Sequence, residues 1–287
     1  MPSIAEPASP SPLITVIVAV YNHVRTLQQC IDSVAQQTYP NKELIIIDGG
    51  SNDGTAEVIK SNNNKIAYWI SEPDHGIYNA WNKGLARAHG EWICFLGADD
   101  YFWDALVLER MAAQLVMVPP GIRVAYGRIM LLNNKGENLY PIGGPWKKVK
   151  ERFKQIMCVP HPALMHRRSL FEQHGNFDES FSIAGDYELL LRELKTADAF
   201  FIPDIILAAM RQGGVSSDPA NSLVGIRELR AAQRKNGQRW PGRIWLTAMA
   251  NAYIRLLLWN LLGEHAARRM LDFGRRIMGL PAFWTKT

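Results

Sequence analysis

The chain has 287 residues, 47% of them hydrophobic, which is enough for one large domain or for one domain with an appendage. Its three cysteines are scattered without metal-ligand spacing, so we predict reduced thiols in a cytoplasmic protein. The net charge of +5 is uneven, because residues 225–287 carry twelve Lys and Arg against three acids, a balance of +9 that leaves −4 for residues 1–224. An acidic body excludes a general nucleic-acid-binding protein.

Strands and helices alternate along the first hundred residues. Four apolar runs predict buried strands: 13–20, 43–48, 66–71 and 91–96. Two stretches predict helices between them: 26–36, with apolar residues on one face, and 77–88. Alternation of this kind is typical of βαβ units and a parallel sheet.

The pattern is less regular in the second half. The predicted elements there are a helix at 104–116, a strand at 124–132, a hairpin turn at 133–136, a helix or mobile loop at 146–155, a helix at 187–195, and one or two strands at 200–210 interrupted at Pro203. Residues 1–12 lack the basic start and apolar core of a signal peptide, and we predict a flexible tail.

The last sixty residues differ in kind. Residues 244–262 are strongly apolar, but Thr247, Asn251 and Arg255 form one polar stripe along the predicted helix. A membrane-spanning helix needs about 20 apolar residues, and a charge near its centre is unfavourable. We therefore predict an amphipathic helix that lies on a membrane or packs on the body. With the arginine pairs at 268–269 and 275–276, residues 241–287 suit an anionic membrane surface; an oligomer interface is the alternative.

Carboxylates stand at the predicted ends of two strands. Asp48 ends the second strand, and Asp99 and Asp100 follow the fourth. Ligands bind at the carboxyl edge of parallel sheets, and paired acids there hold Mg²⁺ or Mn²⁺, which in turn holds phosphates. Tyr21 and Asn22 end the first strand beside Asp48, where a nucleobase has room to stack. The structural alternatives are an Asp that bonds its own turn and an Asp that caps a helix.

Three further positions carry candidate chemistry. Asp74 precedes a helix whose N-terminus attracts anions, or it only caps that helix. Asp186 begins a helix and is a candidate general base, with Glu188 as its local rival and simple capping as the alternative. His161, between two prolines, lines the same cleft or is structural. The chain contains neither G-x-G-x-x-G nor a P-loop, which excludes those two nucleotide-binding motifs.

Together these motifs resemble family 2 of the inverting GT-A glycosyltransferases, which build bacterial polysaccharides and surface glycans. The resemblance covers residues 13–216, and the order and spacing of its motifs are highly specific. The matching stretches are 15–22, 43–55, 72–80, 82–84, 97–100, 185–188 and 213–216.

The resemblance implies an α/β GT-A fold, with a mixed, mainly parallel sheet flanked by helices and a C-terminal helical appendage. Its expected boundaries are a catalytic domain at 13–220, with a nucleotide-sugar half at 13–103 and an acceptor half at 104–220, and a basic helical region at 221–287. The implied substrates are a nucleotide-diphosphate sugar and a glycan or lipid-linked glycan. The implied location is cytoplasmic, peripheral on the cytoplasmic face of the inner membrane.

The resemblance also assigns roles to residues. Asp99 would bind Mn²⁺ or Mg²⁺, Asp186 would be the base, and His161 and Glu188 are candidates for the acceptor cleft. The implied donor-binding residues are Ala19, Tyr21, Asn22, Asp48, Gly49, Ser51, Asp74, Gly76, Asn79 and Asp100.

Two positions depart from the family pattern. Gly97 replaces the first acid of the usual Asp-x-Asp, and Gly185 replaces the first acid of a frequent acidic pair. They are the support for a rival hypothesis, a non-catalytic binding or scaffold subunit with the same fold. A third hypothesis, a sugar-nucleotide pyrophosphorylase, would require a basic, Gly-rich loop after the first strand, and Tyr21-Asn22-His23 is not such a loop.

Overall fold

The computed structural model describes residues 11–133, 135–212, 219–277, 279 and 284–285. Most of the predicted tail at 1–12 and all of the motif at 213–216 lie outside these residues. The strands are β1 (Ile14–Val20), β2 (Lys42–Asp48), β3 (Tyr68–Ser71), β4 (Trp92–Gly97), β5 (Tyr101–Phe102), β6 (Val124–Leu132), β7 (Asn138–Ile142), β8 (Leu164–Arg167) and β9 (Phe200–Arg211).

The helices include every one predicted from the sequence, and residues 146–155 form a helix rather than a loop. The helices are α1 (Leu27–Ala35), α2 (Thr55–Ser61), α3 (Ile77–Leu85), α4 (Val107–Leu115), α5 (Trp146–Phe153), α6 (Arg168–His174), α7 (Gly185–Leu194), α8 (Pro219–Lys235) and α9 (Arg243–Ile277). Short 3-10 turns lie at Asn63–Lys65 and His161–Ala163.

The strands form one mixed sheet in the order β3-β2-β1-β4-β8-β6-β9-β5, with β7 paired to the side of β6. The first four strands are parallel. In the second half β8 runs antiparallel to β4 and β6, while β9 runs parallel to β6. A mixed sheet flanked by helices confirms the predicted fold class.

Helices cover both faces of the sheet, which explains the unbroken apolar runs of its strands. Successive β1 side chains point to opposite faces, so Val16 and Val18 pack with α1, α2 and α4, whereas Ile17 packs with α3 and α7. Because both faces of these strands are buried, most polar side chains occur only where the strands end. The polar residues that follow β1, β2 and β4 are therefore gathered at one edge.

Strand β9 is continuous, where the sequence predicted an interruption at Pro203. Its pairing with β6 nevertheless shifts there, since Tyr126 pairs with Phe201 and Arg128 pairs with Ile206. Proline has no N–H to donate to a neighbouring strand, so a register shift at this point avoids an unpaired ladder position.

The C-terminal helices pack against the body. α8 contacts α7, and α9 contacts α8. α9 is broken at Gly263, whose φ of 72° and ψ of 170° are not helical. Within the described residues, no helix combines the length and apolarity needed to cross a membrane. The domain boundary at 220 stays a prediction.

Candidate active site

The register of the parallel strands brings the predicted donor residues to one edge. Ala19 lies opposite Ile47 and Gly97, and Val20 lies opposite Asp48. Asp48 in turn lies opposite Ser71 at the end of β3. The loops that follow β1, β2 and β4 therefore begin side by side.

Hydrogen bonds tie the loop after β1 to the loop after β2. The Asn22 amide N–H donates to Ser51 Oγ (2.8 Å), and Asn22 Oδ1 accepts from the Asn52 N–H (3.0 Å). Asn22 has a φ of 55°, a left-handed conformation that asparagine tolerates better than most residues. Tyr21 stands on this paired scaffold with 58% of its surface exposed, which leaves its ring available to a planar ligand.

Asp48 is fully buried and makes its hydrogen bonds within the protein. Its carboxylate accepts from the hydroxyls of Ser51 and Ser71 and from the Ser51 N–H. Asp48 thus fixes the loops after β2 and β3. The sequence analysis gave this turn-forming role as the structural alternative to ligand binding. The two roles are compatible, because Asp48 lies at the same edge of the sheet.

Asp74 lies across the edge from Gly49. Its Oδ1 accepts from the Gly76 N–H (2.9 Å), so it supports the turn that precedes α3. A Cβ at position 49 would come within 2.6 Å of Asp74 Oδ2, so a glycine is required there for the two loops to approach. Asn79, on the first turn of α3, donates to Glu179 Oε2 (2.9 Å) and so links α3 to the loop before α7.

Asp99 and Asp100 follow β4, and their carboxylates fold back over Gly97. A Cβ at position 97 would lie 2.9 Å from Asp99 Oδ1 and 3.0 Å from Asp100 Oδ2. An aspartate at position 97 would therefore crowd both carboxylates, which is a physical reason for the glycine. Burial and the neighbouring charge of Asp99 raise the pKa of Asp100 to about 7.

The chemistry of this pair fits a hard divalent cation. Both side chains offer oxygen ligands, and the pKa of Asp100 is raised first by burial and second by the charge of Asp99, which a cation would offset. Among the described residues there is no group of three or more His, Cys, Asp or Glu arranged to hold a metal ion. Mg²⁺ commonly takes only one or two carboxylates and completes its shell with phosphate and water.

Asp186 lies in the first turn of α7 against Tyr78 of α3. Its Oδ1 accepts from the Tyr187 N–H (2.7 Å) and from the Tyr78 hydroxyl (3.4 Å). Burial raises the pKa of Asp186 to about 6, although these hydrogen bonds oppose the shift. A Cβ at position 185 would lie 2.8 Å from the Tyr78 ring, so the tyrosine occupies the space that an acid at 185 would need.

The loop that carries Asp186 into α7 is capped by a residue of α8. The carboxylate of Glu228 accepts from three consecutive backbone N–H groups, those of Ser182, Ile183 and Ala184, at 2.8–2.9 Å. Helix N-termini leave such donors unpaired unless a side chain satisfies them. The C-terminal region therefore holds the Asp186 loop in place.

A cavity of about 400 Å³ opens beside Asp186. Its walls come from the start of α7, from one side of α8, and from Arg255 of α9. The apolar part of the lining includes Met157, Ile183, Ile226 and Leu229. A mainly apolar cavity with a few polar groups is the usual form of a small-molecule site.

The structure places His161 in the position that its structural alternative described, and it places Glu188 away from the cavity beside Asp186. The His161 ring stacks on Trp81 (centroids 4.8 Å apart) within an aromatic cluster, and burial holds its pKa well below the ordinary value, so the ring is neutral. Glu188 is only 1% exposed, pairs with Arg192, and does not line the cavity beside Asp186. Because the Glu188 carboxylate is paired with Arg192, it does not compete with Asp186 as the candidate general base.

Three residues of the site escaped the sequence analysis: Tyr78, Glu228 and Arg255. Tyr78 is part of the 72–80 motif, but its contact with Asp186 spans 108 positions of the chain. Glu228 and Arg255 lie in α8 and α9, outside the motifs, and Arg255 was assigned only to a polar stripe. The one signal in the sequence was an arginine in the middle of an apolar segment.

Comparison with known proteins identifies relatives of the part of the chain that carries the residues at the ends of β1, β2 and β4. A sequence model described as "Glycosyl transferase family 2" matches residues 15–175. A PGL/p-HBAD biosynthesis glycosyltransferase of Mycobacterium bovis is 31% identical over 185 residues, which is 63% of this chain and 70% of that protein. An uncharacterized glycosyltransferase of Rickettsia typhi is 28% identical over 203 residues, which is 69% of this chain and 63% of that protein.

Solved structures with the same fold include two with bound donors. Residues 1–349 of TarS from S. aureus, in complex with UDP-GlcNAc, align with a TM-score of 0.61 at 17% identity, covering 92% of this chain and 77% of that chain. The mannosyltransferase PcManGT from Pyrobaculum calidifontis, with GDP-Man and Mn²⁺, aligns with a TM-score of 0.62 at 17% identity, covering 93% and 80%. The chain spans 46% of the longer TarS chain.

Proposed function

This chain belongs to glycosyl transferase family 2 and is a glycosyltransferase with the GT-A fold. From that premise we propose that it transfers a sugar from a nucleotide-diphosphate donor to an acceptor hydroxyl and inverts the configuration of the anomeric carbon. The observation that carries the proposal is the placement of Asp186, a carboxylate with a pKa of about 6, on the wall of a cavity suited to a small molecule. A base of that pKa is mostly ionised at neutral pH and still able to take a proton.

The donor would bind at the edge formed by the ends of β1, β2 and β4. Tyr21 supplies an exposed ring for the nucleobase, and the loops held by Asp48, Ser51 and Asp74 form the floor of the site. Donor complexes of two proteins with the same fold, one with UDP-GlcNAc and one with GDP-Man, support a nucleotide-sugar here.

Asp99, assisted by Asp100, would hold a divalent cation, Mn²⁺ or Mg²⁺, at this edge. When bound, the cation offsets negative charge on the leaving nucleotide diphosphate. Mn²⁺ is part of the PcManGT complex, which supports the same requirement here.

Asp186 would act on the acceptor. It accepts the proton of the acceptor hydroxyl while that oxygen attacks the anomeric carbon from the face opposite the leaving diphosphate, so one C–O bond forms as the other breaks. Tyr78 and the Tyr187 N–H hold the Asp186 carboxylate through Oδ1, and Glu228 holds the loop that precedes it.

A donor screen tests the proposal. We expect one of UDP-, GDP- or dTDP-sugars to raise the melting temperature of the purified protein, Mn²⁺ or Mg²⁺ to enlarge the shift, and a CMP-sugar, which carries only one phosphate, to give no shift. Slow hydrolysis of the same donor, followed by NMR of the released sugar, would show the inverted anomer first. Absence of any shift or hydrolysis across all donors would contradict a catalytic donor site and favour a scaffold role.

The exposed face of α9 supports peripheral contact with the cytoplasmic leaflet, where a lipid-linked glycan acceptor would lie. Leu246, Ile254, Leu257 and Leu261 recur at helical spacing and are at least half exposed, with Leu261 at 70%. Arg243, Arg269 and Arg276 are exposed on the same helix. A basic helix with an exposed apolar stripe is typical of helices that lie in the membrane interface.

We expect Leu257→Gln with Leu261→Gln to weaken flotation with phosphatidylglycerol-containing vesicles by about tenfold or more, since full burial of one leucine is worth about 1.5–3 kcal/mol. The matched control is Val116→Gln with Met117→Gln, which changes exposed apolar residues at the end of α4. Unchanged flotation would contradict membrane contact. A dimer that is lost in the same variant would assign this face to a second copy of the chain.

A further inference from the structure

Arg255 of α9 is the cationic group of the cavity beside Asp186. Burial lowers the pKa of its guanidinium, because the charge is held partly out of water. Its contact is with an aromatic ring, because the guanidinium carbon lies 5.0 Å from the centroid of Trp284. Cation–π contact of this kind orients an arginine without neutralising it.

Among the residues that the structure describes, no carboxylate pairs with this charge. In the described parts of the chain, Arg255 forms neither a salt bridge nor a hydrogen bond, whereas neighbouring cations do: Arg268 pairs with Glu264 and Lys235 with Asp178. The cavity's own acid, Asp186, has its pKa raised mainly by burial, and its hydrogen bonds are made with the Tyr187 N–H and the Tyr78 hydroxyl rather than with Arg255. A half-buried guanidinium without an anion has its charge and its N–H donors available to a ligand.

The rest of the lining is mainly apolar. It includes Met157, Ile183, Ile226 and Leu229, to which Asn221, Ser222 and Tyr187 add uncharged polar groups. A ligand that fills this space must therefore combine an apolar portion with an oxyanion, since a planar guanidinium matches carboxylate and phosphate geometry. A neutral sugar alone would satisfy neither feature.

We propose that this cavity is the acceptor site and that the acceptor is an amphipathic molecule whose phosphate or carboxylate group binds Arg255. This inference rests on the proposed function, since it takes Asp186 as the base. It assigns to α8 and α9 a direct part in acceptor recognition, because they contribute lining residues to the cavity and Arg255 supplies the charge that selects an anionic acceptor.

Titration calorimetry with simple probes, below their micellar concentrations, tests the inference. The probes are decyl phosphate, decanoate, neutral decyl glucoside and inorganic phosphate. We expect the better of the two anionic decyl probes to bind wild-type protein about tenfold or more tightly than decyl glucoside and than inorganic phosphate. Whichever anionic probe binds better identifies the group as phosphate or carboxylate.

Variants at one arginine of α9 and one of α8 separate the cavity from the helix surface. Arg255→Gln is expected to remove the preference for the anionic probe, Arg255→Lys to keep part of it, and Arg234→Gln, a change at an exposed position of α8, to leave it intact. An equal preference in Arg255→Gln and wild-type protein, or no preference in wild type, would overturn the inference.

The donor screen shows whether the anionic-acceptor inference fails alone or together with the proposed glycosyltransferase function. Arg255→Gln protein should retain the full melting-temperature shift with nucleotide-sugar and Mn²⁺, because Arg255 is placed at the acceptor and not at the donor edge. Loss of the donor shift in Arg255→Gln would overturn the acceptor assignment. Anion binding through Arg255 in a wild-type protein that responds to no donor would leave an anion-binding cavity but refute the glycosyltransferase mechanism.

Discussion

Sugar transfer is expected to fall by about 10²–10⁴-fold in Asp186→Asn, the range that a positioned general base contributes. Asparagine keeps the size of the side chain and an oxygen that can accept from the Tyr187 N–H, but it cannot take the proton of the acceptor. The measurement is the initial rate of transfer with saturating donor. Asp204→Asn, at an exposed position of β9, is the matched control and should retain the wild-type rate.

The pH dependence of the wild-type protein gives a second test of the same residue. Because the pKa of Asp186 is about 6, kcat/KM for the acceptor should rise about tenfold per pH unit below 6 and level off above it. A rate that is independent of pH between 5 and 7, or an Asp186→Asn protein that transfers at the wild-type rate, would assign the base to another group.

The same substitution should stabilise the protein above pH 6. The pKa of Asp186 is raised from 3.8 to about 6 by folding, so the folded chain binds this proton more tightly than the unfolded chain does. The free energy of unfolding therefore decreases as the pH rises through this window. Asp186→Asn removes the buried charge, and its melting temperature should exceed that of the wild type at pH 8 but not below pH 3.8.

Asp99→Asn is expected to weaken metal-dependent donor binding by about 100-fold or more. A cation bridging protein and diphosphate supplies several kcal/mol, and each 1.4 kcal/mol is tenfold in affinity. The measurement is donor affinity by thermal shift or calorimetry, with and without Mn²⁺. The diagnostic result is that Mn²⁺ no longer improves donor binding in the variant, whereas it does in wild type and in Asp204→Asn.

The pKa of Asp100 gives a second test of the role proposed for Asp99. The charge of Asp99 contributes to the raised pKa of Asp100, so Asp99→Asn should lower the pKa of Asp100 from about 7. The carboxyl signals of the two residues can be followed by NMR during a pH titration. If Mn²⁺ still strengthens donor binding in Asp99→Asn protein, the cation is held elsewhere.

The meeting of the proposed donor-binding residues at one sheet edge could be predicted from the sequence because these residues lie at strand ends. Strands buried on both faces read as unbroken apolar runs, so the positions where β1, β2 and β4 end were visible before the structure. Since parallel strands end at a common edge, Tyr21, Asp48 and Asp99 could be placed together without knowing any contact.

The acceptor half depends on contacts between distant segments, which periodicity does not report. Nothing around Gly185 in the sequence indicates that Tyr78 fills the adjacent space, yet this packing accounts for the missing acid. The sequence analysis assigned Arg255 to a polar stripe along a helix, and such a stripe is expected to face water. The structure turns this arginine toward the cavity and leaves leucines exposed, and the sequence pattern alone could not show which neighbour the helix would meet.

The cap that Glu228 forms on the loop before α7 limits how freely this protein can be recombined with its relatives. Exchanging everything after residue 220 is an obvious way to give a family member new acceptor specificity. Such a chimera would lose the carboxylate that satisfies three backbone N–H groups unless the incoming segment supplies an acid at the same point of its first helix. Each buried donor left unpaired costs about 1–3 kcal/mol. The useful crossover point therefore lies after position 228, so that acceptor choice can be exchanged while the base stays anchored.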